Sequence, residues 1–516
     1  LIPKLIAAVQ MLKEITKATK SNSLSLDNRA FHRIIAFGVI AAGFFFHLWF
    51  STTFWLIPDE AYYWLWSKHP SLSYATKGPV VAWCIAVGSF FFGNSILAIR
   101  FMALLFSIGS GVLIYSLAEK LFDSRTALLS VLFAASCPIF SIGSVLMTID
   151  SPSLFFWLLS AFLFLQAIVQ DKRTYWVFTG MSLGVGFLAK YVNAFELLCF
   201  SLYLWFYPDK RRLLLSQNYA YFLLFSFLFS LPVWLWNANH GWVTVHHLLH
   251  RGDLTSSFVI EPTELIKFLQ EQLLSYSPFL FIGIICSIIL VLWSPAFRSP
   301  QTLFLLTLFL PAFLFYTFLS LHKAAKGNWT VTAVSSGIIL LAYIMVRLFH
   351  LPHIKVLLLS GLAVSFLQTA LLHREDLSFL GIKPEKDPLL RPRGWQSVAV
   401  ELNEIQKKFH PEYFIANDYA LASELQFLIQ SSKVFIPTCL QEQTQFAFWE
   451  SYPILHNAKA IYISNDQSRL LPECLKKEFS TIEPFGGFWR EYKGKKIEYY
   501  TVWLLSSFPS ASRSEN

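Results

Sequence analysis

From Ile34 to about His373 the chain is a succession of apolar runs. A helix crosses the ~30 Å hydrocarbon core of a bilayer with about 20 residues, and these runs approach or reach that length. In water such a succession would leave apolar surface with nothing to cover it; in lipid it forms helices, which satisfy every backbone hydrogen bond internally. The runs fall at roughly 34–56, 96–118, 126–146, 152–169, 174–189, 192–207, 216–236, 272–292, 301–320, 328–346 and 354–372. The expectation is a polytopic α-helical membrane protein with about eleven transmembrane helices. After His373 charged residues become frequent, so 374–516 read as a C-terminal soluble domain of ordinary size. Residues 1–33 read as a cytoplasmic N-terminal segment and 34–373 as the transmembrane domain. "KEITKATK" lies in the first 33 residues, which show no small-residue cleavage site, so the first apolar segment is expected to be retained.

The run "GPVVAWCIAVGSFFFGN", 78–94, is short and interrupted by Gly88 and Gly93. A helix in the first outer loop, lying at the interface or packed against the bundle, suits it better than a crossing. Charge supports this. With eleven crossings and a cytoplasmic N-terminus, sixteen Lys and Arg residues fall on the inner side and eight on the outer. If 78–94 crossed as well, the same residues would divide twelve and twelve, erasing the bias that orients membrane proteins. The net charge of +9 is spread over short loops and the N-terminus, which fits topology and contact with membrane lipids and gives no reason to expect nucleic acid.

This topology gathers chemistry on one face. "IPDEAYYWLWSKH" with Asp59 and Glu60, "TIDSP" with Asp150, Lys190 with Tyr191, "NANHGWVTVHHLLHRGD" and "LHKAAKGNW" all fall outside, as does the C-terminal domain. The inner loops, such as "YPDKRRLL", look purely topogenic. That face is the periplasmic or extracytoplasmic one if the protein sits in a bacterial inner membrane.

Taken in order, "PDEAYYWLWSKH", "YATKGPVVAW", "TIDSPSLFFW", "LAKYVNAF", "NANHGWVTV" and "KGNWTVTA" resemble the bacterial dolichyl-phosphate-mannose-protein mannosyltransferase-like family, of the glycosyltransferase C superfamily, to which the lipid A aminoarabinose transferase is related. The likeness extends to "RGWQSVAVEL" and "NDYALASELQF" in the C-terminal domain. It implies an enzyme that moves a sugar, with inversion, from a polyprenyl-phosphate donor to an acceptor hydroxyl on a glycan, a lipid such as lipid A, or a protein.

Such a reaction needs a base for the acceptor and cations for the departing phosphate. Asp59 matches the family's first-loop aspartate and is the implied general base; its other role is to cap the helix it begins. Glu60 lies about 100° further round that helix and has at most a supporting role at the substrate. Asp150 coincides with the family's second acidic position and is assigned to the acceptor or to the site's hydrogen-bond network; "DSP" is also a common helix start. Lys77 matches the lysine at the lipid phosphate in the aminoarabinose transferase pattern. Lys190, Arg251, Lys323 and Lys326 are further candidates, of which two or three at most can touch one phosphate. Tyr63, one turn from Asp59, Tyr74 and Tyr191 are the aromatic substrate candidates, although Tyr and Trp also collect at any membrane interface.

No cofactor is expected and no metal. The family's aminoarabinose branch carries a glutamate before the lysine and a proline after it; here Thr76, a poor metal ligand, and Gly78 stand in those places, which puts the reach of Lys77 in question. His246 and His250 share a helical face, but no glutamate accompanies them in a metalloprotease arrangement, and interfacial hydrogen bonding is the favoured role. Glu196 interrupts an apolar run and serves either function or burial inside the bundle.

In the C-terminal domain "EYFIAND" and "KAIYIS" read as strands, "YALASELQFLIQ" as a helix and "WREYKGKKIEYYTVWLL" as a hairpin around Gly494, a mixed α/β pattern without a dinucleotide fingerprint. Cys439 and Cys474 fall in that domain, where an oxidising compartment permits a disulfide. A transporter or flippase of a lipid-linked saccharide is the competing class. It would favour a repeated second half or interrupted helices at the midplane, and the first of these is not visible. A non-catalytic scaffold would have no use for the Asp59, Asp150 and Lys77 set.

Overall fold

The computed structural model describes residues 26–253, 257–441, 444–453, 459–466 and 470–506. The membrane part begins with α1 (Leu26–Phe50), α2 (Pro58–Ser67), α3 (Val80–Phe92), α4 (Ile96–Leu121), α5 (Ser124–Ser136) and α6 (Pro138–Gly143). It continues through α7 (Asp150–Gln170), α8 (Arg173–Ala189), α9 (Phe195–Phe206), α10 (Gln217–Asn239) and α11 (Val243–Arg251). The last membrane elements are α12 (Pro262–Tyr276), α13 (Pro278–Trp293), α14 (Pro300–Leu319), α15 (Val331–Arg347) and α16 (Pro352–Leu372).

Among the described residues seven helices are long and apolar enough to span: α1, α4, α7, α10, α14, α15 with its leading turn, and α16. The pair α12 and α13 passes the same test jointly, with a 111° bend between them, making up to eight. The chain is a multi-span helical membrane protein, with fewer full-length spans than the eleven expected. The difference has local causes. Pro138 divides the stretch 126–146 into α5 and α6, since proline lacks the N–H and clashes with the preceding turn. Ser277, at φ 69°, breaks the stretch at 272–292 and caps α13 by accepting the Leu280 N–H. The stretch at 192–207 opens with a 3-10 turn, leaving a 12-residue α9 that rises only about 18 Å. The run at 78–94 folds as the 13-residue α3, ends at Gly93 (φ 65°) and packs on α2 and α4.

After α16 the C-terminal part contains α17 (Trp395–Phe409), β1 (Tyr413–Ala416), α18 (Tyr419–Ile429), β2 (Lys433–Phe435), β3 (Lys459–Ser464), α19 (Glu473–Glu478), β4 (Thr481–Tyr492) and β5 (Lys495–Ser506). The strands form one mixed sheet, β2-β1-β3-β5-β4, with β1 parallel to both neighbours and β5 antiparallel to both of its own. The hairpin turns at Lys493 and Gly494, both at positive φ, as a two-residue turn matched to strand twist requires. Cys439 and Cys474 are joined as a disulfide.

The two parts share a core. One cluster of buried residues runs from Leu56, Tyr62, Trp66 and Ile85 to Trp395, Leu421, Ile461 and Val502. The contacts are specific as well as apolar: Trp55 Nε1 donates to Glu424 (3.0 Å), the Gln445 N–H donates to Tyr62 Oη (2.6 Å) and the Ala75 N–H donates to Gln445 Oε1 (2.8 Å). The sheet domain is thereby seated on α2 and the loop that follows it.

Candidate active site

Asp59 and Glu60 are adjacent, and their fates differ because a helix turns ~100° per residue. Glu60 points inward to Arg100 of α4, both side chains fully buried. The pair is two-pronged, Nη2 to Oε2 at 2.7 Å and Nε to Oε1 at 2.9 Å. Glu60 also accepts the N–H groups of Ile57 and Met147, while Arg100 donates to the carbonyls of Ser51, Phe54 and Trp55. Glu60 thus ties α2, the end of the first span and the segment leading to Asp150. It is fully buried and lies outside the cavity lining, a correction to its placement among the substrate-binding residues.

Asp59 faces a cavity of about 1540 Å³. Among the described residues its carboxylate makes no hydrogen bond or ion pair, and the capping of α2 falls to Glu60. It opens onto the space of the cavity yet sits deep among protein atoms, and that burial raises its pKa against the pull of Lys77, Arg251, Lys326 and Arg391.

Lys77 lines the same cavity. Its loop is held by the Tyr74 N–H and Ser73 hydroxyl, both donating to the Lys77 carbonyl. Gly78 lies so close to α8 that an added Cβ would stand 1.9 Å from the Leu188 carbonyl oxygen. The glycine seats the lysine against α8 and brings it toward Lys190. Burial, then Arg251 and Lys190, pull the Lys77 pKa down to about 7, with Asp59 and Asp150 opposing.

Lys190 donates to Asp150 Oδ1 at 2.6 Å and to the Asn328 carbonyl at 2.9 Å. The Asn328 amide closes the triangle on Asp150 Oδ2 at 2.8 Å. Asp150 therefore holds two other elements of the wall. Arg251 lies over the Trp329 ring at 5.5 Å and lines the cavity with Lys326, Tyr63 and Tyr191. Tyr74 does not reach the cavity: its hydroxyl donates to the Trp66 and His69 carbonyls and its ring stacks on Trp66, so it braces the loop. Lys323 is outside as well, and Glu196 accepts from Ser160 within the bundle.

Three cavity residues escaped the sequence reading. Asn328 sits in "KGNW" without a charge to mark it. His247, rather than the spaced pair His246 and His250, lines the wall; its Nε2 has no partner among the described residues, and burial, Lys77 and Arg251 lower its pKa to about 4. Tyr419 arrives from the C-terminal domain, with its ring 4.7 Å from that of Tyr62. Only the "NDYALASELQF" likeness signalled that segment. Among the described residues no three His, Cys, Asp or Glu side chains are grouped to hold a metal.

Away from these charges the cavity becomes apolar, between α1 (Val39, Ile40, Phe46), α6 (Ile139, Phe140) and α16 (Phe366). Phe46, Trp49 and Phe366 line it and are exposed. The space joins a cationic end to an apolar wall.

The chain is similar to several known proteins. Residues 68–236 match the family model described as dolichyl-phosphate-mannose-protein mannosyltransferase. The chain is 22% identical over 459 residues, 86% of this chain and 92% of the relative, to the lipid A galacturonosyltransferase RgtD of Rhizobium johnstonii. It is 28% identical over 170 residues to an undecaprenyl phosphate-alpha-4-amino-4-deoxy-L-arabinose arabinosyl transferase of Pseudomonas fluorescens, 30% of this chain and 31% of the relative. Among solved structures, ArnT from Cupriavidus metallidurans bound to undecaprenyl phosphate shares the fold, with a TM-score of 0.61 at 16% identity, covering 92% of this chain and 97% of ArnT. The order of the motifs along the chain and the position of the site in the first-loop helix go with this likeness to the dolichyl-phosphate-mannose-protein mannosyltransferase family, whose model matches residues 68–236.

Proposed function

We infer that this chain is an integral-membrane glycosyltransferase that takes a sugar from a polyprenyl-phosphate donor and gives it, with inversion, to an acceptor hydroxyl on a cell-envelope glycan or lipid. One observation carries the reading: one cavity brings together Asp59, whose carboxylate has no hydrogen-bond or ion-pair partner among the described residues, a cationic cluster and an exposed apolar wall. That combination fits a ligand with an anionic head and a long apolar tail. The similarity to a lipid A galacturonosyltransferase and to arabinosyl transferases with undecaprenyl-phosphate donors supports it.

In this reading the donor phosphate lies against Lys77 and Arg251, with the prenyl chain along the apolar wall. Lys190 retains one ammonium proton beyond those given to Asp150 and Asn328, and that proton is available to the same phosphate. The acceptor oxygen attacks the anomeric carbon from the face opposite the phosphate. Asp59 takes its proton as the C–O bond forms, and the carbon–phosphate-oxygen bond breaks with its electron pair leaving on the phosphate. Lys77 and Arg251 stabilise the charge that grows there. Asp150 acts by holding Lys190 and Asn328, and Tyr63 walls the sugar beside Asp59.

The site is assigned to the periplasmic face of a bacterial inner membrane, with the N-terminus cytoplasmic. A disulfide in the sheet domain, which an oxidising compartment sustains, supports that orientation. Binding of undecaprenyl phosphate to the purified protein in nanodiscs tests the donor half. Lys77→Ala is expected to weaken it about tenfold or more, the scale of a hydrogen bond to a charged group. Unchanged affinity in Lys77→Ala and Arg251→Ala would remove the phosphate site from this cavity.

A further inference from the structure

A second cleft, of about 850 Å³, lies in the sheet domain between α18 and the β4–β5 hairpin. It is separated from the first cavity by two short pieces of chain. Pro58 lines the cleft while Asp59 lines the cavity; Asp418 and Ala420 line the cleft while Tyr419 lines the cavity. Successive Cα atoms are ~3.8 Å apart, so the wall between the two spaces is one residue thick at both places.

The cleft is chemically distinctive. Trp489, 36% exposed, packs against Tyr499 with ring centroids 5.2 Å apart and offers an aromatic face at the rim. Behind it lies a planar polar network. Glu498 accepts from Asn465 (2.9 Å), Arg490 (3.0 Å) and Tyr500 (2.7 Å). Three further polar atoms of residues lining the cleft have no hydrogen-bond partner among the described residues: Trp395 Nε1, Glu424 Oε1 and Arg490 Nε. Each belongs to a side chain more than nine-tenths buried. These atoms are themselves enclosed, and the Arg490 guanidinium lies 4.8 Å from the Trp395 ring centroid; they mark a polar lining in which the accessible hydrogen-bonding edge is that of Glu498 and Asn465. Carboxylates outnumber cations six to three along the walls, which disfavours an anionic ligand.

We propose that this cleft is a saccharide-binding subsite that holds the glycan part of the acceptor, an uncharged or amino-bearing sugar, with its reacting hydroxyl directed past Pro58 toward Asp59. An apolar ring face stacks on an aromatic side chain, and the hydroxyl edge takes amide, carboxylate and guanidinium partners; the cleft presents both surfaces. The proposal rests on the glycosyltransferase reading, and under it the sheet domain selects the acceptor while the membrane cavity takes the donor. Glu424 belongs to both walls of the argument, since it also anchors Trp55 of the membrane part.

The test uses the full chain in nanodiscs without donor. Saturation-transfer difference NMR is recorded with N,N′-diacetylchitobiose as the neutral probe and glucose 6-phosphate as the anionic one. The disaccharide is expected to bind, about tenfold more weakly in Trp489→Ala, the scale of truncating a central aromatic contact. Asn465→Ala, a smaller change behind the rim, is expected to weaken it as well, whereas Lys77→Ala and Asp59→Asn are expected to leave it unchanged. In transfer assays Trp489→Ala raises the acceptor KM and leaves kcat at saturation near wild type. Absence of disaccharide binding, or binding that persists unchanged in both cleft variants, overturns the subsite. Stronger binding of glucose 6-phosphate overturns the assignment to an uncharged or amino sugar. Disaccharide binding in a protein that never cleaves a polyprenyl-phosphate sugar would refute the glycosyltransferase reading instead, with the saccharide site standing.

Discussion

Glu60 and Arg100, forty positions apart, form a fully buried two-pronged ion pair one residue from Asp59. It fixes the direction in which Asp59 points. Glu60→Gln leaves the buried Arg100 charge with only backbone carbonyls to face and no counter-ion, and breaking a buried pair typically costs about 3–5 kcal/mol. The thermal unfolding midpoint, followed by tryptophan fluorescence, is expected to fall clearly. Replacing both partners by methionine should recover much of that loss, because the desolvation of both charges is then avoided.

Asp59→Asn should behave in the opposite way. The carboxylate has no partner among the described residues and burial disfavours its charge, so the midpoint should hold or rise. Transfer should fall by about 10² to 10⁴, the usual cost of losing a general base. A variant that stays active would return Asp59 to a purely structural role at the helix start.

The pH dependence follows from two shifted groups. Asp59, its pKa raised by burial against the pull of nearby cations, loses its basic form as pH falls, at a higher pH than an ordinary aspartate would. Lys77, lowered to about 7, loses its charge as pH rises through that value. A bell-shaped profile of kcat/KM is expected, with Lys77 setting the alkaline limb until a bound phosphate raises its pKa. Lys77→Arg keeps the charge at every accessible pH, so the alkaline limb should move out of range even though absolute activity drops.

Topology has a direct check. With the four free cysteines, Cys84, Cys137, Cys199 and Cys286, replaced and the disulfide kept, single cysteines at Lys68 and Lys267 should react with an impermeant thiol reagent from the periplasmic side. One at Lys210 should not. Reaction at Lys68 and Lys267 from opposite sides would separate the first loop from the segments that complete its site.

Much of this molecule was legible in local pattern. The strands at 413–416 and 459–464 and the Gly494 hairpin follow from alternation and turn chemistry, and the short helix at 80–92 from its length and glycines. The 100° step between Asp59 and Glu60 correctly sent them apart, but the destination of Glu60 was hidden: Arg100 lies in another apolar run and looked like an orienting charge. Long-range pairing leaves no such local mark. Asn328 and Tyr419 went unnoticed for that reason, since each matters through an element that folding brings from far along the chain. The broken helices at Pro138 and Ser277 were missed because hydropathy records the length of an apolar run and not the continuity of its backbone.

Cleavage of the donor coupled to extension of the acceptor can be followed directly. Purified protein in nanodiscs is incubated with undecaprenyl-phosphate-linked sugars and a glycolipid acceptor, and mass spectrometry follows both lipids. Free undecaprenyl phosphate and sugar-extended acceptor are expected in equal amounts, with the new bond inverted at the anomeric carbon and both products lost in Asp59→Asn. Donor that stays intact, or that crosses a sealed vesicle membrane uncleaved, would rule out transfer and make the cavity a passage for a lipid-linked saccharide.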